Sequence, residues 1–182
     1  MGEERWFYRN DDDWNAIVER LKQTPCPHCK VVGALIRHGC LRGYDDSSQR
    51  PTVRARRIFC SDRNARPGCG RTFSVWIADK IRRLGLTTGA LWQFLKRAVA
   101  HGIVDAIRTA GRQLCDRTWL RVWKRFDLGQ SKIRTALSAC CPPPERSADR
   151  PAAQVLAHLQ AAFPDVPCPI AAFQHTMRTF FV

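Results

Sequence analysis

The sequence has no run approaching the roughly 18 consecutive apolar residues that a membrane-spanning helix needs. Its first twenty residues carry acids and arginines rather than an apolar leader, and it contains no internal repeat. These absences argue against a membrane protein and against a secreted one, so the expected compartment is the cytoplasm. Acidic residues are also scarce: 16 Asp and Glu stand against 30 Lys and Arg, a formal charge of +14. In a reducing cytoplasm the paired spacings among the nine cysteines point to metal rather than to disulfides.

The 182 residues suffice for one domain or two small ones. An apolar fraction of 45% permits a packed core, anchored here by six Trp and nine Phe. The charge is uneven along the chain. Residues 80–139 hold 13 Lys and Arg against three acids, whereas residues 140–182 hold three of each. A block this basic repels itself unless it meets an anion, and a nucleic-acid backbone is the commonest such partner.

Local pattern changes where the charge changes. "DDDWNAIVERLKQ" (11–23) reads as an amphipathic helix with Trp14, Ile17, Val18 and Leu21 on one face. "VVGALIRHG", "TVRARRIFC" and "RTFSVWI" read as strands of a small antiparallel sheet, with "YDDSSQRP" as a polar loop. From about Leu86 the period is helical. "TTGALWQFLKRAVAHG", "IVDAIRTAG", "DRTWLRVWKRF" and "SKIRTALSA" are read as four helices, the third capped by Asp116. "CCPPPERSADRP" reads as a linker, and two helices follow it, "AAQVLAHLQAAF" and "IAAFQHTMRTFFV".

Two cysteine pairs carry the clearest chemistry. Cys26-Pro27-His28-Cys29 has the spacing of a zinc knuckle. Cys60 and Cys69 are separated by the eight residues "SDRNARPG". The expectation is that this insert loops out and that Cys26, Cys29, Cys60 and Cys69 bind one structural zinc tetrahedrally, with Zn–S distances of about 2.3 Å. The hairpin between the pairs would bring them together, and Phe73 would pack against the site. Cys40 competes with Cys60 as a ligand, and His28 and His38 are lesser candidates. A catalytic zinc would keep an open position, so this one is read as structural.

The helix starting near Asp116 divides into an aromatic face (Trp119, Val122, Trp123, Phe126) and a basic face (Arg117, Arg121, Lys124, Arg125). Short helices at 88–100 and 103–110 would cover the aromatic face. A basic last helix entered through a four-residue turn describes a helix-turn-helix. Arg117, Thr118, Arg121, Lys124 and Arg125 are the candidate DNA contacts, with Arg112, Lys132 and Arg134 from the flanking basic segments. Arginines would read base edges and lysines would neutralise phosphates.

"CPHC … RRIFC … GCGRTFS", followed by a basic helix-turn-helix, resembles the N-terminal DNA-binding region of bacterial insertion-sequence transposases. The resemblance covers residues 25 to about 127 and rests most specifically on "CGRTFS". It implies a zinc ribbon ahead of a helix-turn-helix that recognises element ends. The eight-residue gap departs from the family's closely spaced second pair. The family's catalytic RNase H-like domain, with its three carboxylates, has no counterpart among Asp105, Asp116, Asp127, Glu145, Asp149 and Asp165.

The expected fold is therefore α+β: a small antiparallel zinc ribbon, then an all-α helix-turn-helix bundle and a helical C-terminal tail. The expected boundaries are an N-terminal helical arm (1–24), the ribbon (25–79), the helix-turn-helix (80–140), a linker (141–151) and the tail (152–182). The expected function is non-enzymatic binding of double-stranded DNA by a nucleoid-associated, mobile-element accessory protein active in transposition and DNA recombination. The alternatives are a transposase or nuclease remnant with a separate catalytic subunit, and an RNA-binding zinc-ribbon protein. Ile170, Phe173 and Met177 share a helical face that either packs internally or docks on another copy or a transposition partner.

Overall fold

The computed structural model describes residues 6–110, 114–145 and 150–182. These residues form an α+β chain with one four-stranded sheet and six helices. The chain divides into two compact units. The first takes residues up to Tyr44 together with Ser48–Ala78, and the second takes Asp45–Ser47 together with Asp79–Val182.

In the first unit, β1 (Trp6–Tyr8), β2 (Leu35–Asp45), β3 (Ser48–Cys60) and β4 (Thr72–Ile77) lie in the order β1-β4-β3-β2. β3 runs antiparallel to β4, from Ala55 opposite Trp76 to Phe59 opposite Thr72. β1 runs parallel to β4, with Trp6 opposite Val75. The sheet is therefore mixed, where the sequence suggested an antiparallel one. Of the N-terminal segment read as a helical arm, the described residues supply β1 and the helix α1 (Asp11–Arg20) to this unit.

The ends of α1 follow from its sequence. The Asn10 side chain accepts from the Asp13 amide at 2.9 Å, and three aspartates occupy the positive end of the helix dipole. Trp14 and Leu21 are buried with Tyr8, Leu35, Ile58 and Val75. "YDDSSQRP" is not a loop either. β2 and β3 run through it to the two-residue turn Asp46-Ser47. Asp45 makes so short a turn feasible, because its carboxylate accepts the Ser47 amide at 2.9 Å.

The second unit is helical: α2 (Thr88–His101), α3 (Ile103–Thr109), α4 (Asp116–Ser138), α5 (Pro151–Ala162) and α6 (Pro169–Met177). Thr87 caps α2 by accepting from the Ala90 amide at 3.2 Å. Gly102, at φ 91°, makes the abrupt turn into α3 that a side chain would resist. The Asp45–Ser47 segment joins this unit through polar contacts. Asp46 accepts from the Thr87 hydroxyl at 2.7 Å, and buried Lys80 pairs with Asp45 at 3.0 Å.

Two sequence expectations change here. The third and fourth helices are one 23-residue helix, α4. Gly129 costs only about 1 kcal/mol against Ala in a helix, too little to interrupt the stripe in which Trp119, Val122, Phe126, Ile133 and Leu137 are all buried. Asp116 is the first residue of that helix rather than its cap, which is Cys115. α3 ends at Thr109 and α4 begins at Asp116, and the expected four-residue turn between them includes residues 111–113, which lie outside the described residues.

The tail supplies core. Val155, Leu159, Ile170, Phe173 and Phe181 are buried in the same cluster as Leu91, Leu95, Trp119 and Phe126. Phe126 stacks on Phe181, with centroids 5.9 Å apart. Buried Gln174 donates to the Lys80 carbonyl and accepts from the Phe181 amide, both at 3.2 Å.

Candidate metal centre and basic helix

The residues that follow α1 turn back on themselves at the first cysteine pair. The Cys26 amide donates to Val31 O and the Lys30 amide to Cys26 O, each at 2.9 Å. The His28 amide points at Cys26 Sγ, 3.4 Å away. Lys30 takes the left-handed conformation, φ 65°, that closes this turn. The second pair repeats the arrangement at the junction of β3 and β4. The Cys69 amide donates to Cys60 Sγ at 3.4 Å, and the Gly70 amide to Cys60 O at 2.9 Å.

The eight-residue insert is pinched off at its base. The Gly68 amide donates to Ser61 O at 3.1 Å, and a Cβ on Gly68 would lie 2.2 Å from that oxygen. Only glycine permits so close an approach. The insert thus leaves Cys60 and Cys69 as near to each other as a short knuckle would.

The four sulfurs lie within 4.8 Å of one another. Cys26 and Cys69 are 3.9 Å apart and Cys29 and Cys60 are 3.7 Å apart, sulfur to sulfur. A tetrahedral ion with bonds of about 2.3 Å requires about 3.8 Å between its thiolates, whereas a disulfide requires about 2.05 Å. The cluster could hold a metal ion such as zinc. Cys26 and Cys60 are fully buried beneath the sheet core. Burial pushes the Cys60 thiol up to about 12, while a hydrogen bond from the Val31 backbone holds Cys29 down to about 7. A divalent cation would resolve that conflict by stabilising all four thiolates.

The other candidates stay outside the cluster. Cys40 is exposed on β2. The His28 ring meets Phe73 edge-on at 6.3 Å, and the His38 ring lies 5.3 Å from that of Phe59. Phe73 is partly buried beside Cys29 and Cys69 and is flanked by Trp6 at 5.2 Å.

On α4 the side chains of Arg117, Arg121, Lys124, Arg125, Lys132 and Arg134 are exposed, and Thr118 is half-buried. The Thr118 hydroxyl lies 3.2 Å from Cys115 Sγ and lowers the pKa of that thiol. Arg117, Arg121, Lys124 and Lys132 fall within about 80° of helix surface, with Arg125 beside them; Arg134 lies about 100° away on the side of Asp127. Among the described residues none of these cations has a carboxylate partner. Arg112 lies outside the described residues. Leu128, which sequence reasoning did not single out although helical spacing places it beside Arg121, is 74% exposed within the basic stripe. Among the described residues no helix is long and apolar enough to cross a membrane. Comparison with protein-family models, with curated proteins and with solved structures finds no match.

Proposed function

We propose that this chain is a non-enzymatic, zinc-stabilised protein that binds double-stranded DNA. The first unit is read as a zinc ribbon holding one structural zinc on Cys26, Cys29, Cys60 and Cys69. Residues 80–140 are read as a helix-turn-helix whose last helix, α4, faces the duplex. The observation that carries this reading is the unneutralised cationic stripe of α4. From Arg117 to Lys132 it extends about 22 Å along the helix, and its aromatic back is anchored in the core by Trp119, Val122 and Phe126. A helix held so firmly on one side and so cationic on the other suits the dense negative charge of a duplex backbone. The resemblance to insertion-sequence transposases suggests the setting: a mobile-element protein that binds element ends or selects targets.

Selection from a random duplex pool with the zinc-loaded chain, followed by competition against structured RNA at matched salt, tests the reading. Enrichment of a duplex motif that outcompetes RNA is the expected result. Preference for RNA would move the chain to the RNA-binding alternative. Cleavage of duplex by the purified chain, dependent on a divalent ion, would favour the transposase or nuclease alternative.

A further inference from the structure

A cavity of about 200 Å³ opens within the helical unit, between α2, α3 and the first turns of α4. Its lining is Ala90, Gln93, Phe94, Arg97, Ala106, Thr109, Ala110 and Trp119. Three alanines leave the space. Phe94 and Trp119 stack on each other, with centroids 4.4 Å apart and 26° between planes, and both bring aromatic surface to the lining.

Two features of that lining ask for an acceptor. Trp119 is 1% exposed, yet its indole N–H has no hydrogen-bond partner among the described residues. A buried donor left without a partner forfeits its hydration and gains nothing in exchange. At the rim, Arg97 uses its Nε on Asp105 Oδ2 at 2.6 Å, which leaves the terminal amino groups of the guanidinium for another acceptor. No carboxylate is among the lining residues, and Asp105 at the rim is already paired with Arg97, so a cation would meet the guanidinium rather than a free counter-charge. Inorganic phosphate would meet mainly alanine and ring faces.

We propose that this cavity binds a small aromatic carboxylate. The ring lies against Phe94 and Trp119, and the carboxylate accepts from the indole N–H and from Arg97. A dry cavity of about 150 Å³ accommodates benzene, so one of about 200 Å³ has room for a single ring with its carboxylate. The inference stands apart from the DNA reading, and neither its success nor its failure bears on duplex binding.

The test uses the full metal-loaded chain, with fluorine NMR following para-fluorobenzoate and its neutral amide. Broadening of the carboxylate signal at millimolar concentration, relieved by unlabelled benzoate, is the expected result. Arg97→Gln, at an exposed position that leaves the core untouched, should weaken the carboxylate by about tenfold, the loss of one charge-assisted bond, and change the amide little. Ala90→Leu should abolish both by filling the space. Trp119→Phe, where it folds, should weaken the carboxylate while the ring still enters. Absence of any fluorine response with folded protein would mean that the cavity holds water only and would overturn the proposal. Binding indifferent to both Arg97→Gln and Ala90→Leu would also overturn it, by placing the ligand elsewhere.

Discussion

At the scale of single residues, the four-cysteine cluster was legible because thiolates able to share an ion must be presented in local pairs, and "CPHC" and "GCGRTFS" show that pairing in the chain itself. The closure of the insert was not legible, since it depends on Gly68 meeting Ser61 O across seven residues. Two predictions belong here. Cys26→Ser or Cys69→Ser should release the metal and unfold the first unit, because a structural zinc contributes on the order of 10 kcal/mol to folding. Cys40→Ala should keep one ion per chain. Metal analysis with circular dichroism checks both, and retention by Cys60→Ala would sink the ligand assignment. The second concerns pH. The metal-bound form needs four thiolates, so falling pH adds protons that compete with the ion. With Cys29 held down to about 7 and Cys60 pushed up to about 12, the ion-free site carries protons at neutral pH, and affinity should rise with pH. Competition with a chromophoric chelator should show tighter binding at about pH 8 than at about pH 6; equal affinities would contradict thiolate ligation.

At the scale of elements, the helices were read better than their ends, and α4 shows why. Apolar spacing of three and four gives helix type, but it left residues 127–130 between two separate helices, where burial of Phe126, Gln130 and Ile133 carries one helix through. Gly129→Ala should therefore stabilise the chain by about 0.5–1 kcal/mol. A Cβ there meets only Ile133 Cδ1, at 3.8 Å, an ordinary contact. Thermal melting checks this, and a lower midpoint would mean that the helix needs its glycine. β1 was missed for a different reason. Three residues give no periodicity, and the partner strand lies about seventy residues on. The basic face of α4 carries the functional prediction. Arg121→Ala should cost roughly 1–3 kcal/mol of duplex affinity and relax sequence preference, whereas Lys124→Ala should mainly lower the salt slope by about one. Anisotropy titrations across salt separate the two, and unchanged binding in both variants would place the DNA surface elsewhere.

At the scale of the whole molecule, the chain makes its first core from aromatic anchors and a cysteine cluster, and its second from helices that begin and end far apart in sequence. Composition could not say whether the tail, with no net charge, was core or docking surface, because an apolar helical face looks the same in either role. The fold of the second unit distinguishes them: Ile170 and Phe173 are fully buried, and Phe181 packs on both Phe126 and Phe173. Truncation at Pro142 would strip α5 and α6 from that core and expose Leu91, Leu95 and Phe126 to water. Each large side chain so uncovered is worth about 1.5–3 kcal/mol, so the three together forfeit about 4.5–9 kcal/mol, comparable with the roughly 5–15 kcal/mol of a whole domain's stability. The truncated chain should therefore lose the cooperative melting of its helical unit and its duplex binding together. The metal should stay, because none of its ligands or their hydrogen-bond partners lies beyond Arg71. Metal content, far-ultraviolet circular dichroism and duplex titration of the fragment read the three outcomes separately. A fragment that keeps its helices and still binds duplex would show that α5 and α6 are accessory to the core, and would return Ile170, Phe173 and Met177 to the role of a docking face.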